Sequence, residues 1–344
     1  MQFFGVQVKS FNMEITNRCV LGCPQCARTG NDWVAANLTD LPLDVLRRLF
    51  PRDRQRHFEG IKVNLCGTYG DCIYHRRFHD VLAYLKEVGV RVAVETNGSH
   101  RKPGWWERTC DLLGPEDMIT FSVDGLEDTN HVYRVNARWA DIVEAMRYCA
   151  SRVTVDWKFI VFSHNEHQLD DARRLAAEIG VRRITFKKSG RFLADDPSAP
   201  SNENYIGVVT RNRRRIERLL AEGVGAERFD EEVVIAPKCR YGKDLAVTAF
   251  GHFYPCSPAE PEEPSGWFHD NREHFDLRAF TVEEILASEK WRELERLWQR
   301  ASTAPKVCQA YCGVHRAYLD SYASSSRPDR PNKPEDAVAV TIAG

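Results

Sequence analysis

The stretch ITNRCVLGCPQCARTG, residues 15–30, carries three cysteines, Cys19, Cys23 and Cys26, spaced C-x3-C-x2-C. Three thiolates on one loop can ligate three irons of a [4Fe–4S] cube, whereas ferredoxin-type cubes are closed by four. With three ligands one iron keeps an open position, and an open position on a metal marks chemistry where a closed one marks structure. Two plainer readings stand beside this one. A remote residue such as His57 could complete a zinc site, although zinc sites favour paired C-x2-C units. Alternatively, the three cysteines could simply pack as small apolar residues.

The motif follows the first of six β-rich runs: VQVKSFNMEI (6–15), IKVNLCG (61–67), RVAVETNG (91–98), MITFSVDG (118–125), VTVDWKFIVF (153–162) and RRITFKK (182–188). Helical patterns lie between them: PLDVLRRLF (42–50), RFHDVLAYLKEVG (77–89), WADIVEAMRYCA (139–150) and QLDDARRLAAEIG (168–180), with Gly89 and Gly180 as stop signals. This alternation predicts an α/β fold with a parallel sheet and crossover helices. Each run ends in a polar or glycine-bearing cluster, in order TNRC, CGTYGD, ETNG, SVDG, SHNE and KKSG. Sites in parallel α/β folds gather where strands end, so the six ends point to one site.

After residue 190 the pattern changes. LADDPSAPSNENY (193–205) reads as a linker and VVTRNRRRIERLLAEG (208–223) as a helix whose arginine run is a solvated face. The stretch SSSRPDRPNKPEDA (324–337) reads as mobile. The chain has 344 residues, 43% of them apolar, and a net charge of −1, so no global field favours nucleic acid or an anionic membrane. No run approaches the roughly 18 apolar residues of a membrane span, and the start lacks the form of a signal peptide. Eleven cysteines without signs of secretion suggest metal binding in a reducing cytoplasm rather than disulfides.

The cysteine spacing at the head of a β/α series resembles the radical S-adenosylmethionine (SAM) enzymes over roughly residues 10–190. The resemblance implies a partial (β/α)6 barrel. It also implies a [4Fe–4S] cluster on Cys19, Cys23 and Cys26, whose open iron is chelated by SAM, and reductive cleavage of SAM to a 5′-deoxyadenosyl radical that abstracts hydrogen from substrate. CGTYGD (66–71) stands where the family has a Gly-Gly-Glu-Pro loop for the SAM amino group, which assigns Gly67, Gly70 and Asp71 to that role. ETNG supplies Asn97 at the third strand end. SVDG and HVYRV place Ser122 and Asp124 near the SAM ribose and Arg134 on its carboxylate. Asn165, at the fifth strand end, is the adenine candidate. Two departures stand out: Gln25 replaces the usual aromatic or large apolar residue before the third cysteine, and Cys72 replaces a common proline.

A second set, Cys239, Cys256, Cys308 and Cys312, lies downstream. CRYGKDLAVTAFGHFYPC reads C-x11-G-x4-C, with a hairpin turning at Gly251 and Cys256 on its second strand; CQAYC ends a helix-like stretch that starts TVEEILASEKWRELERLWQRAS (281–302). Four cysteines can ligate a second cube, or zinc. The spacing resembles the auxiliary-cluster extensions called SPASM and twitch, and four cysteines fit the shorter twitch type. The expected domains are a radical SAM partial barrel (1–190), a linker and helix (191–235), a twitch-like domain (236–318) and a mobile tail (319–344).

Cys110 and Cys149 read as core, and Cys66 could face either way. Cys72 could pack or give a hydrogen atom to a substrate radical. Lys187 and Lys188, with Arg191, could bind a polar substrate or supply a base. The expected function, by family analogy, is epimerisation of a small hydroxylated substrate such as a sugar or aminocyclitol in a specialised or antibiotic pathway. An external reductant such as flavodoxin or ferredoxin is implied. The alternatives are an alcohol dehydrogenase that passes an electron to the auxiliary cluster, a modifier of ribosomal peptides, and a non-enzymatic iron–sulfur redox protein.

Overall fold

Short runs rich in Val, Ile, Phe and Thr form the strands. The computed structural model describes residues 2–3, 6–189, 197–205, 211–243, 245–259, 266–318 and 337–341. The strands are β1 (Ser10–Met13), β2 (Lys62–Leu65), β3 (Arg91–Thr96), β4 (Met118–Ser122), β5 (Thr154–Ile160) and β6 (Arg183–Lys187). Strands β2 to β6 pair in chain order and in parallel. At the end of β1, Met13 O accepts from Cys66 N–H at 3.2 Å. Parallel neighbours require crossovers. These contain α1 (Leu43–Leu49), α2 (Phe78–Glu87), α3 (Pro103–Leu112), α4 (Trp139–Ala150) and α5 (Leu169–Ile179). The architecture is the α/β parallel sheet with crossover helices expected from the alternation, and it agrees with the partial (β/α)6 barrel that the resemblance implies. Helix α3 confirms the helical context read around Cys110: it is opened by Pro103 and buries Trp106, Thr109 and Cys110, at i, i+3 and i+4.

The two faces of the sheet differ in chemistry. Val94, Ile119, Phe121, Trp157, Phe159 and Phe186 are all buried on one face. There Phe121 meets Trp106 of α3 at 5.4 Å, and Arg173 of α5 lies over Phe186 at 4.8 Å. Each such side chain contributes roughly 1.5–3 kcal/mol by leaving water. Alternate residues point to the opposite face, which carries Glu95, Thr120, Ser122, Lys158 and Lys187. A closed barrel fills that side with branched apolar residues; here it is polar.

The chain divides into two units. One comprises Met13–Leu46, Phe50–Val208 and Pro334–Gly344 and holds β2 to β6. The other comprises Met1–Asn12, Arg47–Leu49 and Val209–Lys333. This second unit contains α6 (Arg211–Glu222), α7 (Ala226–Glu232), β7 (Val233–Ile235), β8 (Leu245–Val247) and β9 (Phe253–Tyr254). The last two form an antiparallel hairpin with Gly251 in its turn at φ +84°. Cys256 lies just past the hairpin rather than on it, because Pro255 has no N–H to extend the ladder. The long helical pattern of 281–302 is broken into α8 (Val282–Ala287) and α9 (Glu289–Leu297), since Ser288 caps the second by accepting from Trp291 N–H at 3.1 Å. Then α10 (Lys306–Cys312) leads into β10 (Gly313–His315), which pairs with β7.

Residues 337–341, within the stretch expected to be mobile, form β11 (Ala337–Thr341), antiparallel to β6 in the first unit. The rest of that stretch, and Arg191, lie outside the described residues. Among the described residues no helix is long and apolar enough to cross a membrane.

Candidate active site

The loop of Cys19, Cys23 and Cys26 rests on an apolar floor. Tyr133 and Phe162, with ring centroids 4.4 Å apart, cluster with Leu21 and Cys23, and Cys19 and Cys26 pack against them. The loop is held by Gly22 N–H to Val135 O (3.1 Å) and Asn136 Nδ2 to Val20 O (2.8 Å). The sulfurs are within electrostatic reach, Cys23 acting on Cys19 and Cys26 acting on Cys23. Burial pushes the Cys19 thiol up to about 12 and raises Cys23 as well. Thiolates here therefore need a compensating cation, which a metal group provides as it displaces the protons. Donors to the sulfurs are already in place: Leu21 N–H (3.5 Å) and Asn97 Nδ2 (3.7 Å) to Cys19 Sγ, and Arg134 Nη1 (3.8 Å) to Cys23 Sγ. Such outer contacts orient and tune metal ligands. The donor set suits an iron–sulfur cluster. His57, weighed as a zinc ligand, is exposed on the turn Arg52–His57.

The second strand end meets this loop through Asp71. Its N–H donates to Arg18 O at 2.9 Å. Its Oδ2 accepts from Asn97 N–H (2.6 Å), Asn97 Nδ2 (2.5 Å) and Thr96 Oγ1 (3.1 Å), and its Oδ1 from Ile73 N–H (3.2 Å). Asn97 thus joins Asp71 to the Cys19 sulfur. Gly67 and Gly70 allow the 66–71 loop to lie against the end of β1: a Cβ at Gly70 would stand 1.8 Å from Thr16 O, and one at Gly67 would stand 2.5 Å from Gly70 O. Glu14, a residue that sequence reasoning passed over, closes the contact. Its buried carboxylate accepts from Tyr69 N–H (2.7 Å) and Gly70 N–H (2.8 Å). The signal available was an acidic residue flanked by Met13 and Ile15 within a strand pattern.

Burial pushes the Asp71 carboxyl from 3.8 up to about 6, against the N–H bonds from Asn97 that lower it. A shift of this size is worth about 3 kcal/mol. The folded-state value lies above the unfolded one, so the protonated form favours folding. That contribution is complete below about pH 4 and is lost as pH rises through about 6. Urea unfolding of the metal-free protein should show wild type losing about 2 kcal/mol relative to Asp71→Asn between pH 4 and pH 7. A stability difference that stays flat across this window would place the Asp71 value near an ordinary carboxylate.

The fourth and fifth strand ends are tied together by Asp124 and Arg134. Asp124 is fully buried; its Oδ2 accepts from Arg134 Nε at 2.7 Å and its Oδ1 from Ile160 N–H at 2.6 Å. Arg134 thereby spans from this carboxylate to the Cys23 sulfur. Asn165 is likewise committed to protein: its Oδ1 accepts from Phe162 N–H (2.8 Å) and its Nδ2 donates to Asp124 O and Ile160 O (3.0 Å each). Ser122, half-buried, ends β4 beside Lys158 of β5.

Cys72 is 2% exposed, and its thiol donates to Glu95 O at 3.5 Å. Burial raises this thiol well above its ordinary value. The Glu95 side chain points to the polar face of the sheet and pairs with Lys158 Nζ at 2.6 Å across β4, each about one-third exposed (34% and 33%). Neither residue was singled out from the sequence, because the pairing depends on the register of three strands. Lys187 lies beside Ile160 in the ladder and Lys188 follows, both half-buried.

In the second unit Cys239, Cys256, Cys308 and Cys312 converge. Cys239 feels the other three, Cys308 feels Cys256 and Cys312, and Cys256 feels Cys312. Burial pushes Cys256 and Cys308 up to about 12 and raises Cys239 and Cys312 too. Four thiols so placed, Cys239 and Cys308 buried and Cys256 and Cys312 half-buried, again suit a metal group that replaces their protons. Among the described residues no three His, Cys, Asp or Glu side chains are grouped to hold a single ion. Elsewhere, Cys110 and Cys149 are core residues with sulfurs 3.6 Å apart.

Residues 13–183 match the family described as the radical SAM superfamily. A curated relative from Pyrococcus furiosus, the tungsten-containing aldehyde ferredoxin oxidoreductase cofactor-modifying protein, is 23% identical over 183 residues, 51% of this chain and 49% of its own. The match thus spans about half the length of that relative. Among solved structures, Streptococcus suis SuiB bound to S-adenosylmethionine has a TM-score of 0.56 at 12% identity, covering 96% of this chain and 77% of its own. The anSMEcpe structure with bound AdoMet has a TM-score of 0.53 at 14% identity, covering 84% and 83%. At these identities the structural likeness speaks for the fold. Taken with the cysteine loop and the strand ends joined to it, residues 13–183 of this chain are a radical SAM domain, which implies S-adenosylmethionine and a [4Fe–4S] cluster as its cofactors.

Proposed function

We propose that this chain is a radical SAM enzyme that removes a hydrogen atom from a small hydroxylated substrate, a sugar or aminocyclitol, and returns one from a cysteine thiol to give an epimer. The observation that carries the reading is the polar face of the sheet, where the Glu95–Lys158 pair stands one-third exposed at the strand ends. A carboxylate and an ammonium side by side accept from and donate to neighbouring hydroxyls without selecting a strongly charged ligand. When bound, SAM and the cluster at Cys19, Cys23 and Cys26 supply a 5′-deoxyadenosyl radical.

The protein's part is position and charge. Asp124 fixes Arg134, whose guanidinium serves the Cys23 sulfur and would pair with the carboxylate of SAM. Asp71 and Asn97, braced through Gly67 and Gly70, hold the loop for the SAM amino group. Ser122 would serve the ribose, and Asn165, which holds the turn through Phe162 N–H, would lie on the adenine side. Lys187 extends the polar face and Lys188 follows it at the strand end, and in this reading both would serve the substrate. Burial keeps Cys72 a thiol, the form that has a hydrogen atom to give. Bound SAM would provide for removal of a hydrogen atom from the substrate carbon. The Cys72 S–H bond then breaks as the new C–H bond forms. The sulfur radical takes an electron from an external reductant such as flavodoxin or ferredoxin, and a proton from solvent.

Residues 1–190 form the catalytic part in this reading, and residues 236–318 a twitch-like domain. In the latter Cys239, Cys256, Cys308 and Cys312 hold a second [4Fe–4S] cluster for electron transfer. A second reading, peptide modification, draws support from the SuiB structure bound to precursor peptide SuiA, which has a TM-score of 0.51. Turnover in deuterium oxide separates the outcomes. Epimerisation with a thiol donor places solvent deuterium on carbon, and Cys72→Ala should lower epimer formation by roughly 1,000-fold, about 4 kcal/mol of barrier. An unlabelled epimer, or a fully active variant, removes Cys72 from the chemistry. A product lighter by two hydrogens marks a dehydrogenase.

A further inference from the structure

The sulfur of Cys308 has a side-chain partner that a structural thiol does not require. Trp298 Nε1–H donates to Cys308 Sγ at 3.4 Å, and both residues are buried. The indole N–H can only donate, and here its acceptor is a sulfur. The guanidinium of Arg240 lies over the same ring, 5.7 Å from its centroid. A cation on the π face draws electron density from the indole and strengthens its N–H as a donor. Trp291 meets the ring edge-on at 6.4 Å and 89°, so its orientation is set by packing on a second side. Lys238 adds a positive charge close to Cys312.

We infer that Trp298 sets the reduction potential of the cluster at Cys239, Cys256, Cys308 and Cys312, holding it higher through the hydrogen bond to Cys308, with Arg240 reinforcing that bond. The inference rests on the proposed reading of these four cysteines as cluster ligands. Its physical basis is charge. Reduction adds one electron to the cluster and increases the negative charge on its thiolate sulfurs. A fixed N–H donor stabilises this state more than the oxidised one, and hydrogen bonds to the sulfurs are among the determinants of cluster potential. A higher potential favours electron flow into this cluster from a reductant or a substrate radical.

The test isolates the second cluster in the full-length chain. The Cys19→Ala/Cys23→Ala/Cys26→Ala variant, reconstituted anaerobically with iron and sulfide, should bind about four irons per chain. An EPR-monitored titration with dithionite, which donates one electron per cluster, gives its midpoint potential. Adding Trp298→Phe should lower that potential. Arg240→Gln, which leaves the indole in place, should lower it by less. Pulsed ENDOR should show an exchangeable proton coupled to the reduced cluster that Trp298→Phe abolishes. If four irons bind and both the potential and the coupling are unchanged, Trp298 only packs, and the inference fails while the cluster reading stands. If the triple-alanine variant binds zinc or no iron, the cluster reading fails and the inference with it. Should Trp298→Phe not load iron, Arg240→Gln decides: a lower potential upholds the inference and an unchanged one overturns it.

Discussion

Gly70→Ala should destabilise the first unit by roughly 3–5 kcal/mol, the range reserved for severe steric faults. The new methyl would stand 1.8 Å from Thr16 O, 2.6 Å from Thr16 C and 2.7 Å from Asn17 Cα. All three are backbone atoms, so no rotamer change relieves the overlap. The 66–71 loop must withdraw from the end of β1. With it go the Glu14 bonds to Tyr69 and Gly70 N–H and the bond from Asp71 N–H to Arg18 O. Those contacts also hold Asp71 against Asn97, which touches the Cys19 sulfur. Iron binding at the cysteine loop should therefore fall together with the urea midpoint. A variant within 0.5 kcal/mol of wild type, the margin typical of a neutral surface change, would show that the loop is not pressed against β1.

Cys23→Ala should remove about four irons per chain and lower reductive formation of 5′-deoxyadenosine by more than roughly 1,000-fold, about 4 kcal/mol. Cys23 is the thiol of the three that sits in the apolar floor with Leu21, Tyr133 and Phe162. It is also the one that faces the Arg134 guanidinium. Without it, two thiols remain, and the half-buried Arg134 loses its sulfur partner while keeping Asp124. The four cysteines of the second unit should retain their own iron, so total iron falls by half rather than to zero. Full iron content with unchanged 5′-deoxyadenosine would refute the assignment of this loop as the SAM-binding centre.

What was legible in the sequence was what is local. The spacing of Cys19, Cys23 and Cys26, the period-2 and period-3.6 runs, and the polar strand ends are each contained within a few residues, and they led to the partial barrel. Relations set by register were not legible. Glu95 and Lys158 are 63 positions apart and meet only because β3, β4 and β5 align Glu95 with Thr120 and Ser122 with Lys158. Glu14 drew no reading from the sequence, because its carboxylate is engaged only by the 66–71 loop that folds over it. Asp124 and Asn165 lay at the strand ends as expected, but their side chains are engaged by Arg134 and by backbone groups. The bond from Trp298 to Cys308 was hidden because 281–302 read as one helix, whereas the chain breaks at Ser288 and again after Leu297.

The two cysteine groups also differ in how the chain must bring them together. Cys19, Cys23 and Cys26 share one short loop, and few torsions need to settle before their sulfurs are neighbours. Cys239, Cys256, Cys308 and Cys312 are gathered from the turn after β7, the exit of the β8–β9 hairpin and α10. Closing segments of that length costs entropy that grows with the span, and the sulfurs converge only once the second unit is nearly complete. Under the proposed reading, in which both groups take iron, the three-thiol loop is therefore ready during synthesis and folding before the four-thiol group is. The order of assembly is written into the spacing of the thiols.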